Sequence, residues 1–424
     1  MANRVVVTGL GVIAPNGAGI PHFTESLKRG TSGIQHLKLL EDLKFSCQIA
    51  GLPPISPVLI SDYFSDLERR NFNSTGITYG VMAGMEAWQD AGLSISPPEA
   101  PDYDSGTIFG AGTSGIDKFR EAIYKVDNLE TRRMGSSVVI QTMASGVSAY
   151  LGGKLGLGNQ VSTNSAACST GAESVLMCYE KIKSGQALRM LAGSTSDSGP
   201  YIWAGFDAMK VCTFKHNDSA EKGSRPMSAS ASGFVPGSGA GALLLESLSS
   251  AQHRGAHIYA EVLGGHVNSG GQRGGGTMTA PNNTAVQQCI SRALTHAGVQ
   301  AQEVDAINGH LTATMMDSIE IKNWTVALQR KGANFPYINS LKGMTGHCLS
   351  AAGSIECVAS VLQIDQGFLF PNINCEDLHP DVAACITSDK IPRQHMPMEI
   401  NLLAKASFGF GDVNACLLFK KYQS

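Results

Sequence analysis

The 424 residues contain no run of like charge, no proline-rich tract and no uncharged apolar stretch long enough to span a bilayer. Without tethers of that kind, separate units would pack tightly rather than swing on a linker. Charged residues make up only 16% of the chain and the net charge is −3. That balance excludes a general nucleic-acid binder and confines any cationic patch to a local surface. Ten cysteines occur, yet none forms a CxxC pair or a zinc-type spacing. Nine of them fit small buried hydrophobes in a reducing compartment. The start, MANRVVVTGLGVIAPNG, places a charge before an apolar run, but Gly9, Gly11 and Pro15 interrupt it and no small-residue cleavage site follows. The expectation is a cytoplasmic protein with no membrane attachment.

What is present is glycine and an apolar core. The 48 glycines exceed ordinary usage of roughly 7% and are spread through short motifs, as tight strand-to-helix turns require. With 43% hydrophobic residues the chain can bury a large core and is long enough for two or three units. Short apolar runs (Val5–Gly9, Thr107–Gly110, Ala187–Ala192, Ala240–Leu245) predict strands, the last two covered on both faces. The stretch from Tyr79 to Ala91 has helical apolar spacing. This alternation predicts a layered α/β fold. Polar Ser247–Gly255 is the candidate boundary, giving an N-terminal half over 1–255 and a C-terminal half over 256–424.

Three residue types separated by long intervals carry the chemistry. Val161–Asn164 predicts a strand, and a helical pattern begins at Cys168 in NSAACSTG. A cysteine at that junction lies on the positive end of the helix dipole, which favours thiolate. It is either a nucleophile or a buried structural cysteine. His310, in NGHLTAT, follows a strand end and precedes Thr312 and Thr314. His347, in KGMTGH, is expected to sit at the N-terminus of a buried helix, which would hold the imidazole neutral. Lys342 and Glu356 flank it and suit either a water-poor ion pair or ordinary surface charges. A thiol with two distant histidines is the equipment for an enzyme-bound thioester followed by carbon–carbon bond formation.

On these motifs, together with VVVTGLGVIAPNG, SRP, GFVPGSGAGALLLE and SFGFGDVNACLLF, the chain resembles the elongating β-ketoacyl-acyl-carrier-protein synthases (KAS I/KAS II type) of the thiolase superfamily. The resemblance implies a five-layered αβαβα fold of two similar halves, forming a homodimer or a heterodimer with a related ketosynthase-like subunit. It implies Cys168 as acyl acceptor, His310 and His347 as the decarboxylation pair, and Lys342 and Glu356 as supporting charges. Phe410 becomes a gating residue whose backbone N–H joins that of Cys168 in stabilising the tetrahedral oxyanion. Thr312 and Thr314 would bond the pantetheine arm, with Phe234 and Phe408 beside the substrate and Ile116 and Met143 in an acyl pocket near the dimer interface. Arg69 and Arg70, placed at the start of a helix, would dock an acidic acyl carrier protein, with Arg132, Arg133 and Lys215 as further candidates. No metal or organic cofactor is implied, and no nucleic acid.

The implied reaction is decarboxylative Claisen condensation with malonyl-acyl carrier protein to give 3-oxoacyl-acyl carrier protein. Three positions depart from the family pattern: Leu311 where glycine is usual, Asp412 in the GFG loop, and the uncharged Met227–Ser232. They leave room for a specialised ketosynthase of a polyene or type II polyketide pathway. Rival readings explain less. A dinucleotide enzyme lacks the full GxGxxG and its acidic partner; a cysteine hydrolase leaves the second histidine unused. A non-catalytic partner subunit would not keep all three residues, and a thiolase needs a second catalytic cysteine that Cys416 is poorly placed to supply.

Overall fold

The structure, a computed structural model, describes residues 3–70 and 72–423. Its main strands are β1 (Val5–Ala14), β2 (Ser105–Ala111), β3 (Val161–Ser162), β4 (Arg189–Ser196), β5 (Gly239–Ser247), β6 (Ala260–Ser269), β7 (Ala306–Asn308), β8 (Tyr337–Asn339), β9 (Leu402–Gly409) and β10 (Val413–Lys420). They lie in the order β8-β7-β9-β10-β6-β1-β5-β4-β2-β3. Every residue of β1, β2, β5 and β9 is buried. That explains their continuous apolar and glycine character, since strands covered on both faces lose the alternation of a half-wet sheet.

The order contains the same motif twice. Strands β1 to β5 run 3-2-4-5-1 in their own sequence order, and β6 to β10 do the same. The pairing senses match as well: β3, β2 and β4 are parallel neighbours while β5 is antiparallel to β4 and β1. Strands β8, β7, β9, β10 and β6 repeat that pattern. Among the described strands, the two runs pair only where Val5–Val7 of β1 lies beside Ala260–Val262 of β6.

Six helices occupy matching places in the two runs: α1 (Thr75–Asp90), α2 (Gly146–Leu155), α3 (Thr170–Lys183), α4 (Asn283–Ala297), α5 (Met316–Leu328) and α6 (Ala352–Gln366). Helices α1 and α2 cover the outer face of the first run, α4 and α5 that of the second, and α3 and α6 are sandwiched between. Five layers, αβαβα, result. Helix α6 is buried from Ala352 to Ile364, as a helix apolar on all sides must be. Burying each of Ile355, Val358, Val361 and Leu362 contributes about 1.5–3 kcal/mol.

Some local expectations shift. The predicted strand at 161–164 ends at Ser162, because the chain turns there to reach Cys168. Ser247–Gly255 contains a short helix, Leu248–His253, capped by the Ser247 hydroxyl accepting from the Ser250 N–H. Arg69 closes the short helix Asp66–Arg69, whose capping box is Ser65 and Glu68. Arg69 and Arg70 are therefore at a helix end, not a start.

The central helices touch backbone to backbone. A Cβ on Gly171 of α3 would lie 2.2 Å from the Ser354 nitrogen of α6, and one on Gly353 would lie 2.7 Å from the Ala172 nitrogen. Gly353→Ala should therefore destabilise the fold by about 1–3 kcal/mol through overpacking, measured as a lower urea midpoint. An unchanged midpoint would show that the helices have room to part.

Candidate active site

Four loops at the carboxyl ends of β3, β7, β8 and β9 converge on one cavity. Cys168 lies in a single 3-10 turn, Ala167–Ser169, that leads into α3. Ala167 takes φ 47°, a left-handed conformation unusual for alanine. The Thr170 hydroxyl holds this elbow, accepting from the Ala166 N–H at 2.8 Å and donating to the Ala167 carbonyl at 2.7 Å. The Ser169 hydroxyl ties it to β9 and β10 through the carbonyls of Ser407 (3.1 Å) and Val413 (3.2 Å).

His347 is clamped by its own backbone. Its N–H donates to the Val235 carbonyl at 2.7 Å, and its carbonyl accepts from Gly237 at 2.9 Å. The Leu349 N–H donates to Nδ1 at 3.3 Å, so in the neutral ring Nε2 carries the hydrogen. Nε2 lies 3.1 Å from the Cys168 sulfur, and it is therefore the donor. Helix α6 begins only at Ala352, after a 3-10 turn at Leu349–Ala351. His347 is thus five residues before the helix it was expected to head. Burial is what holds its pKa well below the usual value, assisted by Lys342 and Lys405.

His310 reaches the same point from the β7 loop. Glu320 accepts the N–H groups of His310 and Leu311, both at 2.7 Å, and Asp317 accepts those of Thr312 (2.7 Å) and Ala313 (3.1 Å). Leu311 turns into the outer core and is fully buried there, which accounts for an apolar residue beside the histidine. The His310 and His347 rings stand nearly perpendicular with centroids 5.4 Å apart. Burial, then Lys342, His347 and Lys405, hold the His310 imidazole neutral. Its Nδ1 has no partner among the described residues.

The sulfur and one nitrogen from each ring lie within 4.8 Å of one another. Two neutral imidazoles facing a thiol are hydrogen-bond donors aimed where an oxyanion would form. The dipole expectation for Cys168 fails: burial pushes the thiol up to about 11, against the pull of Lys342 and the backbone N–H groups of Phe410 and Cys168. Those two N–H groups flank the sulfur.

Behind the imidazoles sits a dry ion cluster. Lys342, Glu356 and Lys405 are at most 2% exposed. Lys342 Nζ bonds Glu356 Oε1, and Lys405 Nζ lies 2.8 Å from Oε2. The sequence reading missed Lys405, Asp317 and Glu320. A lone lysine inside the apolar strand LLAKASFG was the available signal, since buried charge demands a partner.

The cavity has a volume of about 530 Å³. Cys168, His310 and His347 form one end, and Phe234, Phe408, Phe410, Thr312 and Thr314 line it. The two threonine hydroxyls are 3.0 Å apart. Ile116 and Met143 are not in its wall; they are half-buried, at the first turn of Ile116–Asp127 and just after Val138–Thr142. Arg70, Arg132, Arg133 and Lys215 are exposed, while Arg69 pairs with Asp66 and Arg133 with Glu130. Surface pairs of this kind contribute little stability.

Asp412 has a structural use. At φ 62° and nearly fully buried, its carboxylate accepts the N–H groups of Gln272 (3.0 Å) and Asn282 (2.8 Å). The Gly411 N–H donates to the Met278 carbonyl at 2.8 Å. The loop carrying Phe410 is thereby fastened to residues 270–282, whose Thr279, Ala280 and Pro281 wall the cavity.

An αβαβα fold of two matched runs with a thiol and two imidazoles at its centre defines a thiolase-like condensing enzyme. Residues 2–251 match the beta-ketoacyl synthase N-terminal domain and residues 259–376 its C-terminal domain, and the chain belongs to that family, whose members are acyltransferases. It is 32% identical over 424 residues to 3-oxoacyl-acyl-carrier-protein synthase 1 of Escherichia coli, covering 99% of both chains. It is equally similar, at 32%, to the chloroplastic synthase I of Arabidopsis thaliana, covering 99% of this chain and 87% of that protein. Among solved structures, the ishigamide ketosynthase/chain length factor matches 100% of both chains with TM-score 0.88 and 26% identity. The type II polyketide ketosynthase complex AntDE:AntF matches 100% of both with TM-score 0.85 and 27% identity. Among the described residues no helix is long and apolar enough to cross a membrane.

Two outcomes follow. Since burial pushes the Cys168 thiol up to about 11, its alkylation by iodoacetamide should rise about tenfold per unit between about pH 7 and about pH 9. A plateau near neutrality would show a stabilised thiolate instead. Asp412→Gly should speed tryptic cleavage at Arg273 by at least about tenfold, because two hydrogen bonds to a buried carboxylate are lost. An unchanged rate would mean the loop is held elsewhere.

Proposed function

We propose that the protein takes an acyl chain from an acyl carrier protein onto Cys168 and condenses it with malonyl-acyl carrier protein to give 3-oxoacyl-acyl carrier protein. The observation that carries this reading is the neutral His347, donating from Nε2 to the sulfur, set against a second neutral imidazole. A hydrolase needs one base to activate water; two donors beside a thioester suit an enolate oxygen.

In this reading the Cys168 sulfur attacks the acyl thioester, and the backbone N–H groups of Cys168 and Phe410 stabilise the tetrahedral oxyanion. The bond from the acyl carbon to the carrier's sulfur then breaks, the departing sulfur taking up the proton that Cys168 gives up. His310 and His347 then donate to the thioester oxygen of the malonyl group as carbon dioxide leaves. Removing one preorganised donor of this kind costs about 2.7–4 kcal/mol. Thr312 and Thr314 bond the pantetheine arm on its way in. Lys342 and Glu356 fix the charge behind the imidazoles, and Phe410 gates the cavity. Carrier docking falls to Arg70, Arg132 and Lys215, whose charges are exposed, with Arg69 and Arg133 at the edges.

The exposed apolar residues Phe119, Ile123, Tyr124 and Val126 on the helix Ile116–Asp127 support a second ketosynthase-like subunit on that face, identical or related. The compartment we assign is the cytoplasm, where ten unpaired cysteines stay reduced. A second reading, a synthase of a polyene or type II polyketide pathway, is favoured by Asp412, which replaces a flexible loop position with an anchored one.

Intact-protein mass spectrometry with saturated and polyunsaturated acyl carrier proteins tests both. Acylation should appear in the unsubstituted protein and vanish in Cys168→Ala, with the preferred donor choosing between the pathways. No acylation from any donor would overturn the condensation reading.

A further inference from the structure

The ion cluster behind the active site has an uneven charge count. Glu356 is bracketed by Lys342 on one oxygen and Lys405 on the other, so two cations share one carboxylate. Lys405 is fully buried on β9, beside Asn308 of β7 and opposite Leu417 of β10. Its hydrogen bonds go to the Ala406 carbonyl and, at 3.0 Å, to the Ser407 hydroxyl. Neither partner carries charge.

Among the described residues no second carboxylate pairs with Lys342 or Lys405. Cys168, Cys348 and Cys357 are pushed up by burial and stay neutral, and His310 and His347 are held neutral. On the far side, α5 contributes Asp317 and Glu320, whose carboxyls are already engaged by backbone N–H groups of the His310 loop. Burial pushes Glu320 up to about 7 and Asp317 to about 6, so Asp317 is largely ionised at neutrality, and its charge is held by the His310 loop and not by the two lysines.

We propose that Lys405 is a positioning residue for the decarboxylation half of the reaction: by bracketing Glu356 together with Lys342 it leaves one net positive charge behind the two imidazoles, where the malonyl carboxylate and the enolate derived from it would lie. The proposal rests on the condensation reading. In that half-reaction the bond from the carboxylate carbon to Cα breaks, carbon dioxide leaves, and the electron pair remains as the enolate. Cα then bonds the acyl carbon, the carbon–sulfur bond to Cys168 breaks, and the sulfur takes one proton from solvent. The anion exists in this half and is absent when a neutral acyl thioester is loaded. Charge in a dry site acts over several ångströms because little water screens it. Acylation therefore depends on Lys405 much less than decarboxylation does.

The test compares Lys405→Met, Lys405→Arg and the double variant Lys405→Met with Glu356→Gln. Octanoyl-acyl carrier protein is the donor and malonyl-acyl carrier protein the extender. Acylation of Cys168 is followed by mass spectrometry and decarboxylation by carbon dioxide release. Lys405→Met should slow carbon dioxide release by at least about 30-fold, mainly in kcat, while acylation changes less than about threefold. Lys405→Arg should stay within about fivefold of the unsubstituted enzyme. The double variant again carries one net positive charge, from Lys342 alone, and should recover at least about tenfold over Lys405→Met.

Equal losses in both halves, unchanged decarboxylation in Lys405→Met, or a double variant slower than the single one would each overturn the proposal. If Lys405→Met does not fold, the double variant, which leaves no unpaired carboxylate, is compared with Lys405→Arg: carbon dioxide release within about tenfold supports the charge count and a larger gap overturns it. An unsubstituted enzyme that neither acylates nor decarboxylates would remove the condensation reading itself, and this proposal with it.

Discussion

Two helix N-termini meet at the middle of the molecule with no side chain between them, and the chemistry depends on that contact. Glycine at 171 and 353 lets α3 and α6 approach to backbone distance. Cys168 precedes one helix by two residues and His347 precedes the other by five. The 3.1 Å separation of sulfur and imidazole is thus fixed by helix packing and not by the loops alone. Hydrogen bonds from Ser169 to the ends of β9 and β10 lock the same elbow to the loop bearing Phe410.

Electrostatics in this core works through exclusion of water more than through helix dipoles. Desolvation opposes the thiolate that a helix dipole would favour at Cys168, even though the residue is half-buried on the cavity wall, and burial keeps both imidazoles neutral. A neutral ring has one hydrogen to give, and the Leu349 N–H decides which nitrogen gives it. Buried ions are tolerated only with compensating partners, and Lys342, Glu356 and Lys405 supply opposite charge to one another.

Much of this could be read from the chain. Buried strands showed themselves as unbroken apolar runs, and Cys168, His310 and His347 stood out in small-residue motifs that a fold had to unite. Pairing order could not be read, because β3, β7 and β8 are two or three residues long and gain their identity from neighbours. The end of the helix at Arg69 is hidden for a related reason: four residues capped by Ser65 and Glu68 are too few to show a helical pattern beside the longer helix Thr75–Asp90. Lys405 was hidden by its surroundings, since one charge among apolar residues looks like an edge until the partner strand is known. The anchoring of Asp412 depends on a loop more than a hundred residues away.

The repeated strand order bears on ancestry. Helices α3 and α6 hold the same place in their respective runs, so the turns that deliver Cys168 and His347 are counterparts. A half-length chain with this topology, paired with its own copy, would already set two like turns face to face across a dyad. Fusion of the copies would then free each turn to drift separately, one toward sulfur and the other toward imidazole. An active site of unlike residues is in this sense the broken symmetry of two equal halves.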